Sequence, residues 1–216
     1  MNYQRIQQQT PEWWSLKVGK ISGTRFGQLI SGRDNQLIDE MANEVLDGQC
    51  MFDDFENEDM LFGVENEPIA LELFSQRYGI EIERGGVIMS DFSDIHMASP
   101  DAVSEKFGIV VEAKCTQWGK TQISRFRRGV ESKYLPQIIN YFAVSDDVKE
   151  VYWISYCPYR PERDLVVYKF TRDTIIEQTK TKEVTIQDKV IYGRSLLSDF
   201  KTELNDLVNN FKTIQF

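Results

Sequence analysis

The chain has one histidine, His96, in 216 residues. That scarcity argues against any mechanism built on a histidine pair, whether for binding a metal or for relaying protons. Its three cysteines, Cys50, Cys115 and Cys157, are odd in number and far apart. They suit reduced thiols in a cytoplasmic protein better than a disulfide framework or a zinc ribbon. No apolar run reaches membrane length. The opening Met-Asn-Tyr-Gln-Arg-Ile-Gln-Gln-Gln-Thr also lacks the apolar centre of a signal peptide. Positive charge is missing from a whole stretch: residues 39–67 hold eleven Asp and Glu and no Lys or Arg. Setting that stretch aside leaves 23 acidic residues against all 25 basic ones, so the net charge of -9 reflects polarity along the chain and not uniform acidity.

Against this background, residues 120–133 carry Lys120, Arg125, Arg127, Arg128 and Lys133 with one acid, Glu131. Such a strip is chemically able to meet phosphates, and it equally fits a solvated helix face. The length suits one domain with a full core.

Thr10-Pro11-Glu12 reads as a helix start, with Thr as cap and Pro in the first turn. Ser22-Gly23-Thr24 opens a second short helix through Ile30. Residues 36–48 have helical spacing, 49–57 read as an acidic loop, and 58–78 form a longer helix interrupted or restarted at Pro68. Gly85-Gly86 between two alternating runs predicts a hairpin. Strands near 95–98 and 108–115 then complete a meander. A basic helix follows over 119–130, an apolar helix over 134–144, and strands over 150–157 and 165–171. Helices are expected over 172–181 and 195–213, the latter with a stripe of Leu196, Leu197, Phe200, Leu204, Leu207 and Phe211 for the core or a subunit contact. The order predicts an α+β fold with one central mixed β-sheet flanked by helices.

The residues with the clearest chemistry are Asp101, Glu112 and Lys114. Ile-Val-Val-Glu-Ala-Lys at 109–114 is a strand by composition, and alternation puts Glu112 and Lys114 on one face with Val111 and Ala113 on the other. Asp101 follows a turn signal, Ser99-Pro100. A turn and a strand end bring two carboxylates together beside an ammonium, an arrangement suited to magnesium, which prefers oxygen ligands and leaves positions for water and phosphate. The same three residues also fit a plain strand end with a surface ion pair.

Five segments together resemble the lambda-exonuclease-like (YqaJ-type) viral recombinase and alkaline exonuclease family of the PD-(D/E)xK superfamily. They are Thr10-Pro11-Glu12-Trp13 with Leu16 through Thr24; Phe62-Gly63 with Glu67-Pro68 and Ala70; Ala98-Ser99-Pro100-Asp101; Val111-Glu112-Ala113-Lys114-Cys115; and Lys133-Tyr134-Leu135-Pro136-Gln137. Each is weak alone, but their order and spacing are kept over residues 10–141. The resemblance implies a restriction-endonuclease-like core forming one nuclease domain over 1–216. It further implies a magnesium-dependent 5′→3′ exonuclease on double-stranded DNA ends, releasing mononucleotides and leaving 3′ single-stranded tails. Manganese would substitute for magnesium, with two ions to a site. A homotrimer and a single-strand annealing protein are the implied partners, in a bacterial cytoplasm and of phage or prophage origin.

Carried over by position, Asp101 and Glu112 resemble the metal-ligating carboxylates, joined by the Ala113 backbone carbonyl. Glu67 resembles the helix carboxylate that completes the shell directly or through water. Lys114 resembles the lysine that orients or deprotonates the attacking water, and Gln137 the glutamine that touches the scissile phosphate. Lys17, Thr24, Ser99 and Lys120, with Gln137, match a 5′-phosphate pocket. Lys17 and Lys120 depart from arginines there, keeping the charge but losing the planar fork. Arg125, Arg127 and Arg128 are candidates for the DNA backbone. Of the remaining residues, His96 reads as structural, Asp91 and Asp94 compete for one family acid, and Trp13 and Trp14 read as core in preference to stacking on bases. Trp118, in a polar segment between Lys114 and Lys120, is divided evenly between core packing and DNA contact. Two other readings stay open: a related nuclease with endonuclease or other end-processing activity, and a DNA-end-binding scaffold without catalysis. Three dispersed cysteines argue against a four-cysteine iron–sulfur nuclease.

Overall fold

A computed structural model of the protein describes residues 1–50 and 57–213. The elements in chain order are β1 (Asn2–Gln4), α1 (Pro11–Lys17), α2 (Gly23–Ile30), α3 (Asp34–Asp47), α4 (Glu58–Tyr78), β2 (Glu83–Arg84), β3 (Val87–Met89), β4 (Met97–Ala98), β5 (Ala102–Ser104), β6 (Ile109–Cys115), α5 (Gly119–Arg128), α6 (Leu135–Val144), β7 (Glu150–Tyr156), β8 (Leu165–Phe170), β9 (Ile175–Gln178), β10 (Glu183–Thr185) and α7 (Ile186–Thr213). The expected acidic loop at 49–57 falls largely on residues 51–56, outside the described residues. Asn57 is visible as the cap of α4, its side chain accepting from the Met60 N–H.

The central sheet is mixed, in the order β2-β5-β6-β7-β8. β6 and β7 pair in parallel, and α5 and α6 fill the crossover that such a pair requires. The remaining neighbours are antiparallel. Alternation along the strands divides the core between the two faces. Val110, Val151 and Trp153 join a cluster with Phe26 of α2, Ile138 and Phe142 of α6, and Val190, Leu197 and Phe200 of α7. Val111, Ala113, Tyr152 and Ile154 join Ala70, Leu71 and Phe74 of α4. Burying such aliphatic and aromatic side chains stabilises the fold by roughly 1.5–3 kcal/mol each.

Helix α4 runs unbroken through Pro68, whose missing N–H leaves the Val64 carbonyl without its helical donor. Helix α7 begins at Ile186, earlier than expected. Within its apolar stripe, Leu197, Phe200 and Leu204 are buried and Leu196 and Leu207 pack at the margin, while Phe211 is 71% exposed.

Three local expectations are corrected, the first being the meander: Met97–Ala98 and Ile109–Cys115 lie in different sheets, so the strands near 95–98 and 108–115 do not complete one. Gly85-Gly86 does not close a hairpin: β2 pairs with β5, whereas β3 pairs with β1 and β4 in a separate three-stranded sheet. The glycines carry the chain between sheets with φ of 74° and 89°. At Gly86 a Cβ would lie 2.2 Å from the Tyr3 ring, so close approach as well as backbone freedom calls for glycine. Residues 172–181 are not helical either. Ile175–Gln178 and Glu183–Thr185 form an antiparallel pair whose turn is held by Thr179, which accepts from Lys182 N–H at 3.0 Å. The Thr and Ile content of this stretch was the overlooked strand signal. Among the described residues, no helix is long and apolar enough to cross a membrane.

Candidate active site

β6 changes character at its C-terminal end. Ile109, Val110 and Val111 are buried on both faces, whereas beyond them only Ala113 and the partly buried Cys115 continue the apolar α4 side. Glu112, 1% exposed, turns to the opposite side and meets α6. The Lys114 ammonium donates to Glu112 Oε1, and the Tyr141 hydroxyl donates to Oε2. β5 pairs with β6 only as far as Ala102 and Val111. Beyond that point Asp101 Oδ2 accepts the Ala113 N–H at 2.7 Å, a side chain standing in for a ladder partner. The Ala113 carbonyl leaves the strand on the same edge as its N–H, toward Asp101.

The turn between α1 and α2 approaches this strand end because Ile21 bridges to β4: its N–H donates to Ile95 O at 2.7 Å, and its carbonyl accepts from Met97 N at 3.0 Å. Lys17, ending α1, and Thr24, opening α2, thereby stand near Ser99 in the turn after β4. Together with Asp101, Glu112, Lys114, Gln137 and Tyr141 they line one cavity of about 250 Å³. Gln137 and Tyr141 lie one helical turn apart, and the Gln137 amide donates to Tyr141 Oη at 3.2 Å. A second cleft of about 590 Å³ continues from Thr24, Lys114 and Gln137 to Arg33 and Lys133. On the other side, Gln8 links the cavity to a groove lined by Glu67 and Arg84.

Negative charge exceeds positive at the centre. Burial, and then the Glu112 carboxylate, raise the Asp101 carboxyl well above its ordinary range, against a smaller opposing effect of Lys114. Burial and Glu112 raise Glu67 as well. For Lys114 burial disfavours the charge, but Glu112 and Asp101 outweigh it and raise its proton affinity. Tyr141 is likewise raised, by burial and by Glu112, so its hydroxyl stays a donor. Glu112 alone pairs with the ammonium, while Asp101 and Glu67 interact with it through charge without an ion pair.

The donor set fits magnesium. Among the described residues, no three acidic, histidine or cysteine side chains converge into a ready metal cage. Magnesium is commonly held by one or two carboxylates with water and phosphate completing the shell, which Asp101, Glu112 and the Ala113 carbonyl match. Glu112 keeps lone pairs on both oxygens beyond the two bonds it accepts.

Other sequence candidates lie elsewhere. Lys120 is exposed on α5 and does not line the cavity, and Arg127 and Arg128 are exposed at the end of that helix. Arg125 is corrected outright: it is 6% exposed, and its guanidinium donates to Ser155 Oγ at 3.0 Å, Lys114 O at 3.3 Å and Glu131 Oε2 at 3.2 Å. It supports the end of β6 and does not face a ligand. His96 is fully buried, with Nε2 2.7 Å from Asn140 Oδ1 and Nδ1 3.2 Å from Ser90 Oγ. Burial pushes it down to about 4, so it is a neutral structural residue. Asp91 accepts from the Ser145 hydroxyl and Asp94 pairs with Lys201 at 2.8 Å, both away from the cavity. Trp118 is 56% exposed, its indole N–H 3.3 Å from Asp59.

Sequence reasoning missed Tyr141 and favoured core packing over base stacking for Trp13. Tyr141 follows Gln137 by one helical turn, a spacing that offered a signal. Trp13 is indeed buried against Val87 and Met97, yet it also forms a wall of the cavity.

A family model described as the YqaJ-like viral recombinase domain matches residues 12–147. No curated protein matches the chain. Among solved structures, an alkaline exonuclease (LHK-Exo) from Laribacter hongkongensis is similar with a TM-score of 0.77 at 20% identity, covering 94% of this chain and 96% of that one. Its complex with dAMP gives 0.76 at 21% identity, with the same coverage. A phage related exonuclease from Haemophilus somnus 129PT gives 0.52 at 14% identity, covering 89% of this chain and 96% of that one. These likenesses establish a shared fold.

Proposed function

The chain belongs to the YqaJ-like viral recombinase family, and from that membership we propose that it is a magnesium-dependent 5′→3′ exonuclease. It digests one strand of double-stranded DNA from its ends, releasing mononucleotides and leaving 3′ single-stranded tails for recombination by annealing. The observation that carries this reading is the convergence of Asp101, Glu112 and Lys114 in one cavity with Gln137 and the phosphate-type donors Lys17, Thr24 and Ser99. The similar structures support it, being described as exonucleases. One of them holds dAMP, and a nucleoside monophosphate is what stepwise DNA hydrolysis releases.

Asp101, Glu112 and the Ala113 carbonyl would hold magnesium, or manganese in its place, with Glu67 near enough to act through water or on a second ion. When bound, the ion supplies positive charge to the phosphodiester and lowers the proton affinity of water. Without the ion, Glu112 and Asp101 raise the proton affinity of Lys114, which favours a role in orienting the attacking water and a phosphate oxygen. Gln137 offers an amide N–H to the scissile phosphate. Tyr141, by holding Glu112 Oε2, fixes the carboxylate's orientation. Lys17, Thr24 and Ser99 would receive the 5′-phosphate, which sets the direction of digestion. Arg33 and Lys133 give the adjoining cleft the charge to follow a DNA strand. The working unit in this reading is one nuclease domain per chain, assembled as a homotrimer in the cytoplasm beside a single-strand annealing protein.

The test is digestion of linear duplex labelled at the 5′ or the 3′ end of a strand, with magnesium and with EDTA. Early release of the 5′ label as mononucleotide, with the 3′ label kept on long single strands, is the expected result. Internal fragments would replace this reading with an endonuclease, and binding without any product would replace it with an end-binding scaffold.

A further inference from the structure

We propose that Trp13 is a positioning residue that sets Lys17 and Ser99 as one receptor for a terminal phosphate, an inference that rests on the function proposed above. The indole touches both partners. Its Nε1–H donates to Ser99 Oγ at 3.1 Å, and Lys17 Nζ stands 4.1 Å from its ring centroid and 4.8 Å from that of Trp14. All three residues line the cavity that holds Asp101, Glu112 and Lys114.

Each contact leaves its partner able to bind an anion. A serine hydroxyl has one proton and two lone pairs. With a lone pair committed to the indole N–H, the Ser99 proton is turned away from Trp13 and remains available as a donor. An aromatic face holds an ammonium without neutralising it, as a carboxylate would. Among the described residues Lys17 forms no ion pair, whereas Lys114 in the same cavity is paired with Glu112. Lys17 is thus a located cation without an ion pair among the described residues, its proton affinity lowered mainly by burial.

The segment leading to Trp13 is anchored to the same turn. Gln8 Nε2 donates to Pro100 O at 2.9 Å, and Thr10 caps α1 by accepting the Trp13 N–H at 3.3 Å. Between them Gln9 has φ of 63°, a left-handed conformation that non-glycine residues seldom adopt. The chain turns sharply there and brings the indole to the turn that carries Ser99 and Asp101.

The experiment is a double-mutant cycle read by DNA affinity. Fluorescence anisotropy in EDTA compares a blunt duplex bearing 5′-phosphate with the same duplex bearing 5′-hydroxyl. Trp13→Phe keeps an aromatic face for Lys17 and removes the N–H. Trp13→Phe and Ser99→Ala should each cut the phosphate preference about tenfold, the scale of one hydrogen bond to a charged group. The double variant should lose no more than either single, because the indole acts through Ser99. Melting curves check that each variant folds. If phenylalanine loosens the fold, benzothienylalanine at position 13, with sulfur for N–H at nearly constant shape, makes the same deletion. Additive losses, or a wild-type protein that binds both ends equally, would overturn the inference. Binding in EDTA does not depend on hydrolysis, so failure of the nuclease reading appears separately, as absent nucleotide release with magnesium.

Discussion

Arg25–Glu44 and Lys114–Glu112 are both ion pairs whose carboxylate is enclosed by protein, with 0% and 1% of the glutamate exposed. They differ in what surrounds them. Arg25 holds Glu44 through two hydrogen bonds, 2.9 Å from Nη1 and 2.5 Å from Nη2. The Gly19 N–H adds a third at 3.2 Å, while Arg25 also donates to Lys20 O at 3.1 Å. One cation meets one anion, and the fork geometry matches the carboxylate. The pair closes the back of the turn that presents Lys17 and Thr24. Around Lys114, by contrast, Glu112 pairs directly with the ammonium beside an open cavity, and the charges of Asp101 and Glu67 act on the same group of residues. A pair whose charge is balanced and whose hydrogen bonds are filled belongs to the architecture. A cluster left with surplus negative charge beside space for a ligand calls for a cation from outside.

The sharpest way to break this comparison is to remove each cation in turn. Lys114→Ala should lower nucleotide release by at least about a thousandfold, since hydrolysis depends on the geometry Lys114 supplies, while leaving affinity for DNA ends nearly unchanged. Normal digestion by this variant would mean the site has been misassigned. Arg25→Met should act on stability instead. Stranding the buried Glu44 carboxylate costs about 3–5 kcal/mol, measurable as a lower urea midpoint. A midpoint equal to wild type would show that Glu44 is not held in the way the geometry describes.

His96 belongs with the architectural pair, and pH sharpens that assignment. Its folded value lies near 4, below the ordinary 6.5. Above 6.5 it is neutral in both states, and its contribution to stability is complete. As pH falls from 6.5 toward 4, only the unfolded chain gains the proton, so stability is lost, by up to about 3 kcal/mol. Urea midpoints between pH 7.5 and 4.5 should therefore fall more steeply for wild type than for His96→Gln. Parallel slopes would remove His96 from the account. The smallest effect concerns Tyr141. Tyr141→Phe keeps the ring and frees Glu112 Oε2, so turnover should fall about tenfold, the worth of one hydrogen bond to a charged group. An unchanged turnover number would make the tyrosine a packing residue only.

Much of the site was legible along the chain because its parts are local. Strand alternation puts Glu112 and Lys114 on one face whatever packs on them, and Thr10-Pro11 starts a helix for reasons internal to that helix. The Ser99-Pro100 turn delivers Asp101 within a few residues of its strand. The parts that were not legible depend on long separations. Glu44 lies 19 residues from Arg25, and Tyr141 lies 29 from Glu112. No spacing rule connects such positions. Arg125 looked like a surface cation because charge content does not reveal which side of a helix meets Ser155 and the end of β6. The glycine pair at 85 and 86 signalled a turn correctly, but the destination of the chain depended on Tyr3 and on which strand each flank found as neighbour.

The sequence by itself determined the chemistry available here: an acid after a turn, a Glu and a Lys two apart on a strand, a Gln opening an apolar helix, and hydroxyls and cations in the first hundred residues. These follow from residue identity and from backbone periods of 2 and 3.6, which need no partner to exist. Only the tertiary structure decided which of those groups share a cavity. Lys17, Thr24 and Ser99 were brought to Asp101, whereas Lys120 stayed in solvent and Arg125 went into the core. That sorting is made by burial and by the need of every enclosed charge and N–H for a partner, conditions met only when distant segments pack together.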